Sequence, residues 1–181
     1  EDADGRWLPN HYVTRGQLAA AFGRFCGITD AYRAGEDTGY ADVSSDDPDA
    51  PFIRWASDAG LMIGTGGQFA PDATLTREQL ATVLARYLTL QGEAEAPALS
   101  LGEVYSDAAE VSGWAADGVA RCTELGLLQG SGGAFRPKGT LTRAQLAASC
   151  GISEQEVADQ IAAMEKERYI LGYKALVDWE K

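Results

Sequence analysis

Apolar residues after Thr76 recur at the spacing of one helix face: Leu80, Val83, Leu84 and Tyr87. The threonine is a candidate N-cap, and Gln79 three residues later completes a capping box. The whole phrase "GQFAPDATLTREQLA", residues 67–81, has close counterparts at 5–19 and 133–147. The pattern therefore predicts three helices that begin after equivalent threonines: Thr14, Thr76 and Thr142.

The first half of each phrase predicts a turn and an extended segment, because its proline excludes a helix. Before the second and third phrases, "FIRWASDAGLMIG" and "GVARCTELGLLQG" align as helices that end near Gly60 and Gly126. The first phrase has no counterpart of this helix before it. A full unit is therefore a helix, a glycine turn, an extended segment and a second helix.

This repetition predicts an all-α fold, a helical bundle of repeats with short extended turn segments. Its parts are a partial repeat at 1–30, full repeats at 39–92 and 103–150, and a C-terminal helix with a strand-like tail at 151–181. The segments "GITDAYRAGEDTG" and "QGEAEAPALSLGE" between repeats are polar and helix-breaking, so we expect surface loops there.

The composition excludes several functions. The net charge of -12 argues against broad binding to nucleic acid or to an anionic membrane. No apolar run is long enough for a membrane span, and the start of the chain does not have the pattern of a signal peptide. The three scattered cysteines fit structural thiols, and a single histidine, His11, excludes a histidine cluster. We therefore expect no enzyme, no metal and no cofactor.

An arginine occupies the first helical position of every phrase: Arg15, Arg77 and Arg143. A cation there opposes the helix dipole, by about 0.3 to 1 kcal/mol. One interpretation is that each arginine pairs with a neighbouring carboxylate and joins the repeats. The other is that each arginine, together with the helix N-terminus, faces a groove and holds an acidic ligand.

At these residues the chain resembles S-layer homology domains, which carry an aromatic-x-Asp start, a tryptophan, a Gly-x-Phe-x-Pro turn and a Thr-Arg helix start. The second motif is "YADV…WASDAGLMIGTGGQFAPDATLTREQLA", and the third is "YSDA…WAADGVARCTELGLLQGSGGAFRPKGTLTRAQLA". The resemblance covers residues 1 to about 150. It implies a pseudo-threefold bundle on the bacterial cell surface, outside the cell.

The resemblance also implies grooves that bind an anionic, often pyruvylated, secondary polymer of the cell wall. Their lining would include Arg15, Arg77, Arg143, Asp42, Asp107, Trp114, Gly66 and Gly132. The second motif has Pro48 near the position of Trp114, and the family's glutamate after the motif arginine is present only as Glu78. We expect the grooves of Arg77 and Arg143 to be the functional ones.

The tail from about residue 146 resembles part of the Lrp/AsnC winged helix-turn-helix domain, most closely in "LGYKALVDW". This implies an alternative function as a DNA-binding regulator fragment. Acidic residues outnumber basic ones from 154 to 181, which argues against contacts with phosphates. Another hypothesis is that a helix at about 154–168 fills the empty first position of repeat 1. If a second copy fills it instead, the chain is a homodimer or a protein-interaction module.

Overall fold

The computed structural model of the protein describes residues 9–93 and 95–149. The chain divides into two compact units: one is 12–141, and the other combines the segments 1–11 and 142–181. The predicted helix at 154–168, the Lrp/AsnC-like segment after residue 149 and any surface for a homodimer there lie outside the described residues.

The regular elements of the described residues are helices, joined by loops and by isolated β-bridges instead of a sheet. The helices are α1 (Arg15–Phe25), α2 (Ala50–Asp58), α3 (Arg77–Leu90), α4 (Leu101–Val104), α5 (Ala116–Glu124) and α6 (Arg143–Ser149). Short 3-10 turns occupy Ala108–Glu110 and Gly113–Ala115. The predicted all-α class is confirmed. The single turn of α4 is a correction, because it lies in a segment predicted to be a loop.

The helix starts form as their sequences predict. Thr14 and Thr76 are extended N-caps, and each makes the complete capping box with the glutamine three residues later. Thr142 exchanges the same two hydrogen bonds with Gln145. Such a cap contributes about 1 kcal/mol because it satisfies amides that the first helical turn leaves unpaired.

The glycines predicted to end α2 and α5 do so. Gly60 and Gly126 both have φ of 69°, the left-handed conformation that glycine adopts without strain. The amide of Leu61 donates to the carbonyl of Ala56 (2.8 Å), as in a Schellman motif. The equivalent amide of Leu127 makes the same bond, so both helices end in the same way.

Three extended segments meet at the centre of the unit 12–141. The amide of Val13 donates to the carbonyl of Leu141 (2.9 Å), and the amide of Leu75 donates to that of Val13 (2.8 Å). Thr76 and Thr140 form a β-bridge that joins the second and third segments. All three apolar side chains are buried, so each phrase contributes one residue to a shared centre.

Helices pack in pairs that cross the repeat boundaries. Helix α1 contacts α2, and α3 contacts α5. Gly118 of α5 lies against the backbone of Thr82, which lets the second pair approach closely. Cys122 is buried there, its thiol donates to the carbonyl of Ala81, and burial raises its pKa to about 12. This cysteine is a structural thiol, as predicted, whereas Cys150 lies outside the described residues.

Candidate functional site

Gly66 and its neighbour Gly67 shape the turn of the second repeat. Their φ values are 61° and 75°, which fits the two central residues of a type I′ hairpin turn. The turn joins Thr65 to Gln68, which form an antiparallel bridge. The third repeat has the same turn at 132–133. The predicted residues Gly66 and Gly132 therefore set the backbone of the candidate site.

Asp42 organises the backbone that follows this turn. Its two carboxylate oxygens accept from the amides of Phe69 (2.8 Å) and Ala70 (2.7 Å). Ala70 has a left-handed φ of 57°, so the carboxylate holds a conformation that alanine seldom adopts. The hydrogen bond from Phe69 is the main cause that holds the pKa of Asp42 below its usual value.

Asp107 does the same in the third repeat. It accepts from the amides of Phe135 (2.8 Å) and Arg136 (2.7 Å), and Arg136 has the same left-handed φ of 57°. Burial acts to raise the pKa of Asp107, but these two hydrogen bonds and the charge of Arg136 hold it below its usual value. Both predicted aspartates therefore bind backbone amides of their own turn.

Each turn also packs against a tyrosine of its own repeat, which was not among the predicted site residues. The Tyr40 ring lies 5.4 Å from that of Phe69, and its hydroxyl accepts from the amide of Gly64 (3.1 Å). A β-carbon on Gly64 would collide with the Tyr40 ring and the carbonyl of Gln68. The third repeat has the same arrangement, built from Tyr105, Gly130 and Phe135.

Arg15 reaches from α1 to the turn of the next repeat. Its Nε donates to the carbonyl of Phe69 (2.9 Å) and its Nη2 to that of Ile63 (3.3 Å). The guanidinium carbon lies 4.8 Å from the centre of the Phe69 ring, within cation–π range. We call Arg15, Asp42 and the backbone of 63–73 the Arg15 site.

Arg77 repeats this geometry from α3. Its Nε donates to the carbonyl of Phe135 and its Nη2 to that of Gln129, both at 2.8 Å. Its guanidinium carbon also lies 4.8 Å from the ring centre of Phe135. We call Arg77, Asp107 and the backbone of 129–139 the Arg77 site. Each site thus combines an arginine of one repeat with a turn of the next.

Backbone carbonyls, not carboxylates, are the direct partners of these two arginines. Within 9–93 and 95–149, neither Arg15 nor Arg77 forms an ion pair with an acidic side chain. The interpretation of arginines that join repeats is therefore supported, but the expected carboxylate partner is wrong. Both arginines are half-buried, and burial is the main cause that lowers the pKa of each.

The helix N-termini are not free to bind an anion. The amides of Arg15 and Gly16 donate to carbonyls of 71–73, at 3.0 and 2.9 Å. The amides of Arg77 and Glu78 donate in the same way to carbonyls of 137–139, at 2.9 and 3.1 Å. Since the N-caps occupy the next amides, the proposal that helix N-termini take the acidic group is wrong for these two helices.

A buried glutamate lies next to Arg77 and has no counterpart next to Arg15. Glu78, 3% exposed, accepts from the amide (3.0 Å) and the hydroxyl (3.1 Å) of Ser112 and pairs with Lys138. Gly16 occupies the equivalent position of α1. The sequence singled out Glu78 as the surviving family acid but did not predict its burial or its partners.

The contact between Glu78 and Ser112 also positions the segment that carries Trp114. Trp114 lies two residues after Ser112, in the 3-10 turn Gly113–Ala115, and is 59% exposed. The described contacts do not join its ring to Arg77. They tie the segment before it to α3 through the hydrogen bond from Ser112 to Glu78.

Arg143 belongs to the other unit. Its amide donates to the carbonyl of His11 (2.9 Å), and the next amide donates to that of Pro9 (3.0 Å), as at the other two arginines. Its Nη1 is buried without a partner among the described residues. The turn predicted for the first phrase falls within residues 1–8, outside the described part, and a groove around Arg143 stays a prediction.

A separate cavity of about 290 Å³ shares no lining residue with either site. Its walls include Arg24, Asp30, Asp47, Pro48 and Arg54. Pro48 replaces the tryptophan of the third repeat here, and Arg24 already pairs with Asp49. The repeated geometry at Arg15 and Arg77, not this cavity, is therefore the candidate functional site.

The repeated geometry coincides with the matches to a known family. The family model for the S-layer homology domain matches residues 39–81 and 104–147. These two segments are S-layer homology domains. The matched segments contain the turns and aspartates of both sites, together with Arg77 and Arg143. The first phrase, which supplies Arg15, lies before them.

Relatives of these S-layer homology domains occur in much longer proteins. An amylopullulanase of Thermoanaerobacterium thermosulfurigenes is 32% identical over 80% of this chain and 8% of its own length. Cell surface glycoprotein 1 of Acetivibrio thermocellus is 29% identical over 78% of this chain and 6% of its own length. The S-layer protein sap of Bacillus anthracis is 26% identical over 72% of this chain and 16% of its own length.

S-layer homology domains are non-catalytic modules that anchor proteins to the cell wall, and this places the chain at the cell surface. The enzymes among its relatives match it through this region alone. In the two described ranges, no helix has both the length and the apolar character that crossing a membrane requires.

Proposed function

We propose that the chain attaches to the cell wall by binding an anionic secondary polymer, and that the Arg77 site is a main contact. The observation that supports this is a half-buried guanidinium whose direct partners are carbonyls, with no ion pair among the described residues. Burial lowers the pKa of Arg77 and the charge of the nearby Asp107 acts to raise it, but the carboxylate oxygens of Asp107 bind the turn amides. A negatively charged group on a sugar would pair with the guanidinium directly.

Trp114 adds a surface suited to a sugar ring. The indole is largely exposed, and its segment is fixed to α3 through Glu78 and Ser112. Aromatic rings pair an apolar face with a polar edge, which suits a sugar that is apolar on one side. An acidic saccharide would then use charge at Arg77 and apolar contact at Trp114. A pyruvylated sugar, which carries a carboxylate, fits this description.

Co-sedimentation with purified cell walls of the source organism tests this proposal. Walls are used intact, and after hydrofluoric acid has removed the secondary polymer. We expect binding to intact walls, and loss of most binding in the double variant Arg15→Gln, Arg77→Gln. Glutamine keeps a donor for the turn carbonyls but removes the charge, and circular dichroism checks that the variant folds.

The matched control is the double variant Arg24→Ala, Arg33→Ala, which also removes two positive charges but lies in neither site. It should bind as the unmodified chain does. A folded double variant that sediments with intact walls as well as the unmodified chain would overturn the proposal. Binding that persists on polymer-free walls would point to peptidoglycan instead.

A further inference from the structure

We propose that Arg136 is a second anion-binding residue of the Arg77 site, and that a sugar carboxylate is held between the guanidinium groups of Arg77 and Arg136. This inference rests on the proposed function and assigns the selectivity of that site to one residue. No counterpart of Arg136 exists in the Arg15 site, where Ala70 has the equivalent position.

Arg136 has a fixed backbone and a free side chain. Its amide donates to Asp107, and its φ of 57° matches that of Ala70, so the turn sets the direction in which the side chain starts. The side chain is exposed, and its guanidinium makes no hydrogen bond or ion pair with the described residues. Its guanidinium donors are therefore available to a ligand.

Arg77 and Arg136 lie beside the same glycine, Gly139. A β-carbon on Gly139 would lie 3.1 Å from the carbonyl of Arg136, 3.6 Å from Cδ of Arg77 and 3.7 Å from Cβ of Arg136, so both arginines lie against this glycine. The charge of Arg136 also contributes, after burial, to lowering the pKa of Arg77, which indicates that the two cations repel each other. An anion between them would remove this repulsion.

The formal charges of the two sites differ in sign. In the Arg77 site, three cations (Arg77, Arg136 and Lys138) outnumber two acids (Glu78 and Asp107), which leaves +1. In the Arg15 site, one arginine faces two acids, Asp42 and Asp72, which leaves -1. The equivalent of Gly139 is Ala73. The Arg77 site is thus the one suited to a carboxylate, which two guanidinium forks can hold through paired hydrogen bonds.

NMR titration with small glycosides tests the inference. The probes are methyl 4,6-O-pyruvyl-glucoside and methyl glucuronoside, which carry the carboxylate at different places, with uncharged methyl glucoside as reference. We expect Arg136→Ala to weaken binding of the preferred carboxylate probe about tenfold, the effect of one charge-assisted hydrogen bond. Binding of the uncharged glucoside should not change. The probe that is more affected identifies the carboxylate source.

The Arg15 site provides the reciprocal test. Ala70→Arg with Asp72→Lys should add carboxylate binding there, and Ala70 already has the backbone conformation that Arg136 has. The same conformation at Ala70 indicates that Arg136→Ala will fold, and its melting temperature should fall only slightly, because Asp107 loses the charge of Arg136. If Arg136→Ala binds both carboxylate probes as the unmodified chain does, the inference is wrong. Wall binding lost in the Arg15–Arg77 variant would still support the proposed function, so the two failures are distinguishable.

Discussion

The Arg15 site and the Arg77 site share one framework but differ in their lining. In both, an arginine donates to two turn carbonyls, an aspartate accepts two turn amides, and a tyrosine hydroxyl accepts from a glycine amide. The charge of the lining differs at three positions, where Gly16, Ala70 and Asp72 in one site correspond to Glu78, Arg136 and Lys138 in the other.

The comparison separates structural residues from candidates for recognition. Side chains that are the same in both sites bind backbone atoms, so their first role is to build the turn. Two of the three side chains that differ in the Arg77 site are exposed and charged. Repetition in the sequence therefore marks the framework, and departures from repetition mark the residues that can give one site its own ligand.

The largest expected effect tests whether the framework is equally rigid in both repeats. Gly64→Ala and Gly130→Ala each place a β-carbon against a turn carbonyl and a tyrosine ring. We expect each to lower the free energy of unfolding by about 3 kcal/mol, as overpacking does. Chemical denaturation measures this, and Gly102→Ala, which meets no neighbouring atom, is the control. A clear difference between the two variants would break the comparison.

A smaller effect should be confined to the Arg77 site. Glu78→Ala leaves the amide of Ser112 without its acceptor, and we expect a loss of about 2 kcal/mol in stability. The fluorescence of Trp114 should also change, because the segment before it is released from α3. Arg33→Ala, a surface ion-pair residue, is the control and should lose less than about 1 kcal/mol. Unchanged stability in Glu78→Ala would show that this buried contact does not hold the segment.

The smallest effect concerns the two aspartates and acid. Their pKa values are depressed in the folded state, so their ionised forms add stability above the unfolded pKa of about 4. That contribution is lost as the pH falls through the folded pKa. Arg136→Ala should raise the pKa of Asp107 and leave that of Asp42 unchanged. Carboxyl ¹³C NMR titration measures both values in one experiment, and equal shifts would contradict the difference between the sites.

Local features of the fold could be predicted from sequence. The capping boxes at Thr14 and Thr76, the helix ends at Gly60 and Gly126 and the glycine turns all form as expected, because each depends on residues close together in the chain. The same residue types at the same spacing were sufficient to predict these features, because the same local hydrogen bonds form in each repeat.

The partners of the site residues could not be predicted in the same way. Arg77 binds the carbonyl of Gln129, which lies 52 residues away in the chain. Because every residue has a backbone carbonyl, the sequence does not indicate which one an arginine will bind. The burial of Glu78 also depends on Ser112 from another segment. The one available signal was comparison of the phrases with each other, which shows Ala70 against Arg136. Roles for Arg143 and for the tail stay predictions, because residues 1–8 and 150–181 are outside the described part.

Because each site is built from two repeats, binding of a cell-wall polymer there would also stabilise the folded protein. A polymer on the Arg77 site would touch α3 and the following turn together, and that surface exists only while the two repeats remain docked. At a free ligand concentration a hundred times the dissociation constant, such a ligand adds about 2.7 kcal/mol to stability. A copy of the protein held at the wall would therefore open less often and resist proteases longer than a copy that has been shed.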